Sequence, residues 1–343
     1  MEGFSLPEKR TDWLVLEANT EYWDTSRFPR VQRITFDNTL NQKDAVELVK
    51  TTEGRVDLVT ELRPLDTLRV AESPFAQVVK NRGSLLAVAG WFNMRQAGSR
   101  WGDIRLRQAV NLAINRQDLI HYATRGNGVI IPGIVATQSF GYNHDLAPYP
   151  FDPDKARHLF REAGYPEGFA LTLIASADLE AQATVVSKML EQAGLQVDLQ
   201  LLDSATYNRK TDLRFLDQPP EHQTWDIALG LFADPRNFPI YTYYARALGG
   251  SNDWVTEQPT LRQLYEQTLH TVDREKQQAF IRQMERHTSE QAYFLFLYNA
   301  IQLYAVNKAV AFVPYVNTRL NLVETTVTEY HWSVRKQKTA GQE

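Results

Sequence analysis

The chain has 343 residues, 43% of them hydrophobic and 23% charged, and a formal net charge of −4. That length accommodates two domains with sizeable cores, and the mild acidity gives no electrostatic footing for nucleic acid, which favours basic surfaces. The absence of cysteine excludes disulfides, thiol nucleophiles and cysteine metal sites.

No apolar run approaches the roughly 20 residues that span a bilayer; the most apolar, residues 293–298 (YFLFLY), has the length of a strand. Residues 1–13 (MEGFSLPEKRTDW) lack a basic stretch followed by an apolar one, so no secretory signal is expected in the sequence as it stands. In chain order, residues 13–17 (WLVLE) and 31–36 (VQRITF) read as strands joined by a polar loop with Tyr22, Trp23 and Pro29. A helix is expected over 42–50 and a short buried strand over 56–59 (VDLV).

Residues 85–92 (LLAVAGWF) form an apolar strand ending at Asn93. Over 103–120, Leu106, Ala109, Val110, Ala113 and Ile114 fall on one face of a helix. Asp103 stands at an N-cap position, and Asn115 with Asp118 starts a second helix after a sharp corner. Arg105 and Arg107 flank the core face and are expected to make structural salt bridges. Asp152-Pro153 opens a further helix whose inner face is Ala156, Leu159, Phe160 and Ala163, with Gly164 at its end. Strand 169–174, helix 179–193 and strand 195–202 predict a βαβ unit with a parallel pair. Residues 225–231 (WDIALGL) are another strand, and helices are expected over 261–270 and 274–288, the latter capped by Asp273. Two strands, YFLFLY and IQLYAVN, and a polar, disordered tail close the chain.

Catalytic patterns are missing. The seven histidines show neither H-x-x-x-H nor H-E-x-x-H spacing, and there is no G-x-S-x-G elbow and no phosphate-binding glycine loop. His158 and His287 are placed in surface-like helical turns, and the Asp152/Asp154 pair is explained by capping. No catalytic, metal or cofactor site is expected.

The wording of three blocks carries more than their periodicity. D-x-R-x-R-Q-A-x-N-x-A-I-N-R at 103–116, the run LVLEANTEYWD…VQRITF…GRVDLV with Asn19, Tyr22, Trp23, Gly54, Val56 and Asp57, and FDPDKARHLFREAGYPEGF at 151–169 together resemble the family 5 extracellular solute-binding proteins. These are the periplasmic receptors of peptide, nickel and related ABC importers. The resemblance implies an α/β fold, a periplasmic-binding-protein-like (type II, cluster C) lobe with a partial second lobe, a binding function without catalysis and without cofactors, and an ABC permease as partner.

A strand that ends at Asp234-Pro235 points its terminal groups into a crevice, where open α/β sheets bind ligands. Gly230, Leu231, Phe232 and Asp234 resemble the family's G-W-x-x-D-x-x-D-P-x-x-F run, in which backbone groups pair with an extended ligand and an Asp meets its ammonium. The match is inexact: Leu231 or Phe232 stands where the Trp is usual, and the spacing after Asp234 is shortened. Asp234 therefore either meets a ligand or only caps the turn before Pro235. Trp91, Phe92 and Asn93 resemble the strand end bordering the cleft; Trp91 either lines it or belongs to the core. The expected ligand-binding residues are Trp91, Asn93, Gly230, Leu231, Phe232 and Asp234.

The expected organisation is a partial first lobe over 1–84, an α/β second lobe over 85–290, strands returning to the first lobe over 291–334, and a disordered tail over 335–343. Family members carry a long region before the WLVLE-like strand that has no counterpart in this sequence. Two functions follow: a receptor or receptor remnant binding a small polar solute such as a peptide in an inter-lobe cleft, or an interaction subunit that kept the fold and is completed by a second chain adding to an open sheet edge.

Overall fold

The structure, a computed structural model, describes residues 4–9, 12–52, 54–234, 236–256, 258–317 and 319–335. The strands are β1 (Phe4–Lys9), β2 (Trp13–Ala18), β3 (Arg33–Asp37), β4 (Leu58–Val59), β5 (Ala76–Asn81), β6 (Leu86–Phe92), β7 (Gly128–Ile130), β8 (Ala170–Ser176), β9 (Gln196–Leu202), β10 (Ile227–Ala233), β11 (Phe294–Ala300), β12 (Gln302–Asn307), β13 (Val310–Ala311) and β14 (Thr326–Val327). The helices are α1 (Gln42–Val49), α2 (Thr67–Ala71), α3 (Ile104–Ala113), α4 (Arg116–Thr124), α5 (Pro153–Glu162), α6 (Glu180–Gln192), α7 (Ser204–Thr211), α8 (Ala245–Ala247), α9 (Pro259–Leu269) and α10 (Arg274–Glu290).

The chain divides into two compact units, one made of residues 1–82 and 302–343, the other of 83–301. The smaller holds two three-stranded antiparallel sheets, β1-β2-β3 and β4-β12-β5, and the hairpin-like pair β13-β14. Its core gathers Tyr304, Val306, Val310, Phe312 and Leu322. Alternation on β3 turns Ile34 and Phe36 to that core and leaves Arg33, Thr35 and Asp37 to water.

The larger unit is built on a six-stranded mixed sheet in the order β7-β11-β6-β10-β8-β9. The β8–α6–β9 unit gives the expected parallel pair, and β10 joins β8 in parallel too. Strands β6 and β11 are apolar almost throughout because both their faces are covered. That burial keeps residues 291–301 in the larger unit: β11 pairs with β6 and β7, and the chain crosses to the smaller unit only at Gln302. The expectation that the return begins at 291 is corrected accordingly. The tail expected from 335 lies outside the described residues from 336 onward; Arg335 itself ends a helical turn and donates to Thr52 O at 2.9 Å.

The corner between α3 and α4 forms as its caps require. Asp103 Oδ1 accepts the Arg105 N–H (2.9 Å), and Asn115 Oδ1 accepts the N–H groups of Gln117 and Asp118 (3.1 and 3.2 Å). Ala109, Val110 and Ile114 are completely buried beneath it. Arg105 makes the expected salt bridge, to Asp103 at 2.6 Å. Arg107 does not: it is buried and donates to the carbonyl oxygens of Trp101, Gly102 and Gln291, because a carbonyl cluster satisfies a buried guanidinium without burying a second charge. Burial brings Arg107 and Arg116 both down to about 10.

Candidate functional site

The carboxyl end of β10 gathers most of the groups singled out from the sequence. Two backbone bonds frame the β6–β10 ladder: Asn93 N–H donates to Asp226 O at 3.0 Å, and Asp234 N–H donates to Leu85 O at 2.8 Å. Bonded and non-bonded pairs alternate in an antiparallel ladder. Ala228, Gly230 and Phe232 therefore turn their N–H and C=O groups to β6, and Leu229, Leu231 and Ala233 turn theirs to the opposite side. On that side β8 matches only Ile227, Ala228 and Leu229, then ends at Ser176 as the chain enters a short helical turn at Ala177–Leu179. The main chain of Leu231 thus lies beyond the β8 ladder, and its side chain is 46% exposed.

Beneath this edge the packing is aromatic. The Trp91 and Phe232 rings lie 4.6 Å apart, and Phe232 also meets Tyr243 and Phe294 edge-on at 6.0 and 5.7 Å. Glycine at 230 lets Trp91 close over the strand, since a Cβ there would stand 2.3 Å from the indole. Two tyrosine hydroxyls fasten the strand: Tyr207 donates to Leu229 O at 2.7 Å and Tyr243 to Phe232 O at 3.0 Å. Burial raises both phenols above their ordinary range, so they remain O–H donors.

Asp234 is completely buried. Its carboxylate accepts the Phe238 N–H (3.1 Å), the Thr242 hydroxyl (2.9 Å) and the Ser139 hydroxyl (3.2 Å). It caps the turn after β10 and ties that turn to the loop carrying Ser139; Pro235, the other half of the expected Asp-Pro turn, lies outside the described residues.

The structure brings Trp91, Gly230, Leu231, Phe232 and Asp234 to one stretch of sheet, and places Asn93 elsewhere. Phe92 is in register with Ile227 whereas Leu86 faces Ala233, so Asn93 lies at the opposite end of β10 from Asp234. Its buried carboxamide donates to Trp225 O at 3.0 Å and accepts the Gln96 N–H at 3.1 Å. That end also holds Asp226, whose carboxylate accepts from Trp101 Nε1 (3.0 Å) and Thr172 N–H (2.8 Å) and whose acidity is weakened by burial.

Sequence reasoning missed Ser139, Tyr243 and Glu285. Ser139 sits in an irregular segment with no periodicity, and its contact with Asp234 spans 95 residues. Glu285, on a helix rich in charged residues, is completely buried, and its Oε1 accepts the Tyr244 hydroxyl (2.9 Å). A run of acidic and basic residues around it, REKQQAFIRQMER, gave no sign that one carboxyl faces inward. Among the described residues no three His, Asp or Glu side chains come together to hold a metal ion, and no helix is long and apolar enough to cross a membrane.

Comparison with known proteins agrees with this architecture. Residues 6–252 match the family described as bacterial extracellular solute-binding proteins, family 5 Middle. The glutathione-binding protein GsiB of Salmonella paratyphi A is 26% identical over 208 residues, which cover 57% of this chain and 37% of that protein. The periplasmic binding protein DppA from Helicobacter pylori, solved with the peptide STSA, superposes with a TM-score of 0.76 at 20% identity, over 95% of this chain and 62% of DppA. NikA from Brucella suis, solved with Fe(III)-EDTA, gives 0.80 at 18% identity, over 95% of this chain and 68% of NikA. The chain therefore spans about a third of the length of the GsiB relative and about two thirds of these solved structures. The fold is that of the periplasmic binding proteins, the relatives are binding proteins and not enzymes, and the chain belongs to the family 5 bacterial extracellular solute-binding proteins.

Proposed function

We propose that this chain is the solute-binding component, or a part of that component, of an ABC importer of the cell envelope, and that it takes a short peptide in extended form. The observation that carries the reading is the β10 edge: the strand outlasts its parallel neighbour, and the N–H and C=O of Leu231 are turned toward the side that β8 has left. An extended ligand adds to such an edge by main-chain hydrogen bonds. Trp91 and Phe232 form the apolar floor, Gly230 allows the indole to lie close, and the Asp234 carboxylate supplies negative charge beneath the ligand's amino end. Asn93 has no part in this contact. The relatives' ligands, glutathione for GsiB and STSA for DppA, have the required chemistry. An ABC permease is the expected partner.

Calorimetry with STSA, glutathione and their singly N-methylated forms tests the reading. Binding of one parent compound, lost on methylating a single amide, is the expected result. No binding of either, or binding indifferent to methylation at every position, overturns it.

A second reading, an interaction subunit completed by another chain, is favoured by apolar side chains on the smaller unit: Trp23 is 83% exposed, Leu65 57%, Leu68 58% and Phe75 45%. A monomer in light scattering that binds no apolar-surface dye counts against it.

A further inference from the structure

Glu285 is a completely buried carboxyl with no compensating charge among its described neighbours. It is in no ion pair among the described residues, and its Oε2 has no hydrogen-bond partner. Every element packed against it supplies neutral groups. The turn at Ile240–Tyr244 gives the Tyr244 hydroxyl at 2.9 Å and, further off, Tyr243. The segment after β7 gives the main-chain N–H groups of Ile134 and Val135 and, beyond them, Tyr142. Its own helix gives Thr288 one turn on, with its hydroxyl buried.

That segment is shaped around the carboxyl. Gly133 approaches so closely that a Cβ there would lie 2.2 Å from Glu285 Oε2. Ile131, Ile134, Val135 and Ala136 are completely buried, yet residues 131–139 form only turns and bends. A few residues on, Ser139 donates to Asp234. On the other side, the adjacent tyrosines split their duties: Tyr244 holds Glu285 and Tyr243 holds Phe232 O at the end of β10. Glu285 therefore stands behind both supports of the β10 terminus.

We propose that Glu285 is a pH-operated latch: neutral, it holds the 131–141 segment against α10; ionised, it releases that segment and the Ser139–Asp234 contact with it. The physical reason is solvation. A carboxylate with no cation beside it must recover water, and the cover most easily lifted is the irregular segment, which lacks the ladder bonds of the sheet and the continuous hydrogen bonding of α10. Burial places the carboxyl at about 7, so the change falls near neutrality. Tyr244 and the two N–H groups pull the other way, favouring the charged form, and keep the change from lying higher. The latch does not depend on the identity of the ligand.

Hydrogen exchange read by mass spectrometry on peptides covering residues 131–141, from pH 5.5 to 8.5 and corrected for intrinsic exchange, tests this without any ligand. Protection in the wild type should fall at least tenfold across neutrality, while peptides from β6 and α3 stay unchanged. Glu285→Gln should keep the segment protected throughout. Tyr244→Phe, which removes a donor that favours the charged form, should move the midpoint upward by half a pH unit or more. Wild-type protection that does not vary with pH overturns the proposal, as does a Glu285→Gln protein that titrates like the wild type. If Glu285→Gln does not fold, the Tyr244→Phe midpoint decides: an unmoved or lowered midpoint overturns the latch.

Discussion

Asn111 and Arg116, five residues apart on two different helices, meet at 3.0 Å in the buried corner between α3 and α4, where the Arg116 Nη2 donates to the Asn111 Oδ1. The same Asn111 oxygen accepts the Phe296 N–H at 3.1 Å, and its nitrogen donates to Phe294 O at 2.9 Å. One carboxamide thus joins the helical corner to β11. Asn111→Leu would strand the Phe296 N–H and a guanidinium donor in the core. The expected loss is about 2–4 kcal/mol, the desolvation cost of orphaned buried groups, measured by urea unfolding. A loss under about 0.5 kcal/mol would mean that water replaces the carboxamide.

Gly230→Ala adds a methyl where the Trp91 indole already lies, 2.3 Å away. Trp91 also packs against the Phe232 ring, so the strand or the indole must shift. Overpacking of this kind costs about 1–3 kcal/mol. Near-ultraviolet circular dichroism should change with the lowered melting temperature; an unaltered spectrum and stability would show that the indole has room to swing aside.

Asp234 separates by two substitutions. Asp234→Ala removes the acceptor for Phe238 N–H, Thr242 and Ser139, and should destabilise the larger unit by about 2–4 kcal/mol. Asp234→Asn keeps one carbonyl acceptor and loses the charge. If the carboxylate meets a ligand ammonium, the asparagine variant should bind a peptide with a free amino terminus more weakly by roughly 1.5–3 kcal/mol, the worth of a charge-assisted hydrogen bond. Equal affinity by calorimetry would leave Asp234 as a cap alone.

The pH dependence of stability follows from Glu285. Its folded-state value is about 7 against an ordinary 4.5, because burial disfavours the charge. With the folded value raised, the neutral form is the one that folding favours. The contribution is fully present below about pH 4.5 and is lost as pH rises through 7. The loss is on the order of 3 kcal/mol by pH 8, less whatever local opening recovers. Glu285→Gln should flatten the melting temperature between pH 5 and 8; a wild type whose melting temperature is equally flat would place the carboxyl's titration outside that range.

The periodic part of the fold was legible in the sequence, and so were the helix ends. Asp103, Asn115, Asp152 and Asp273 all cap where local chemistry demands, since each cap is a contact between residues two or three apart. What could not be read was set by distant pairing. Arg107 looked like an ion-pairing residue because a sequence cannot show the Gln291 carbonyl that meets it 184 positions away. The six candidate site residues looked like one group, yet Asn93 departs from the rest because the antiparallel register of β6 and β10 carries it to the far end of the sheet. The boundary at 291 failed for a related reason: YFLFLY is apolar enough for either unit, and only its partners β6 and β7 decide.

The arginines of the α3–α4 corner have one more consequence. Among the described residues, Arg107 and Arg116 donate to main-chain carbonyl oxygens and one carboxamide, and to no carboxylate. Dissolved ions screen charge–charge attraction between exposed groups and leave buried ion–dipole contacts nearly untouched. The corner that bears the family's wording should therefore hold as firmly in molar sodium chloride as in dilute buffer.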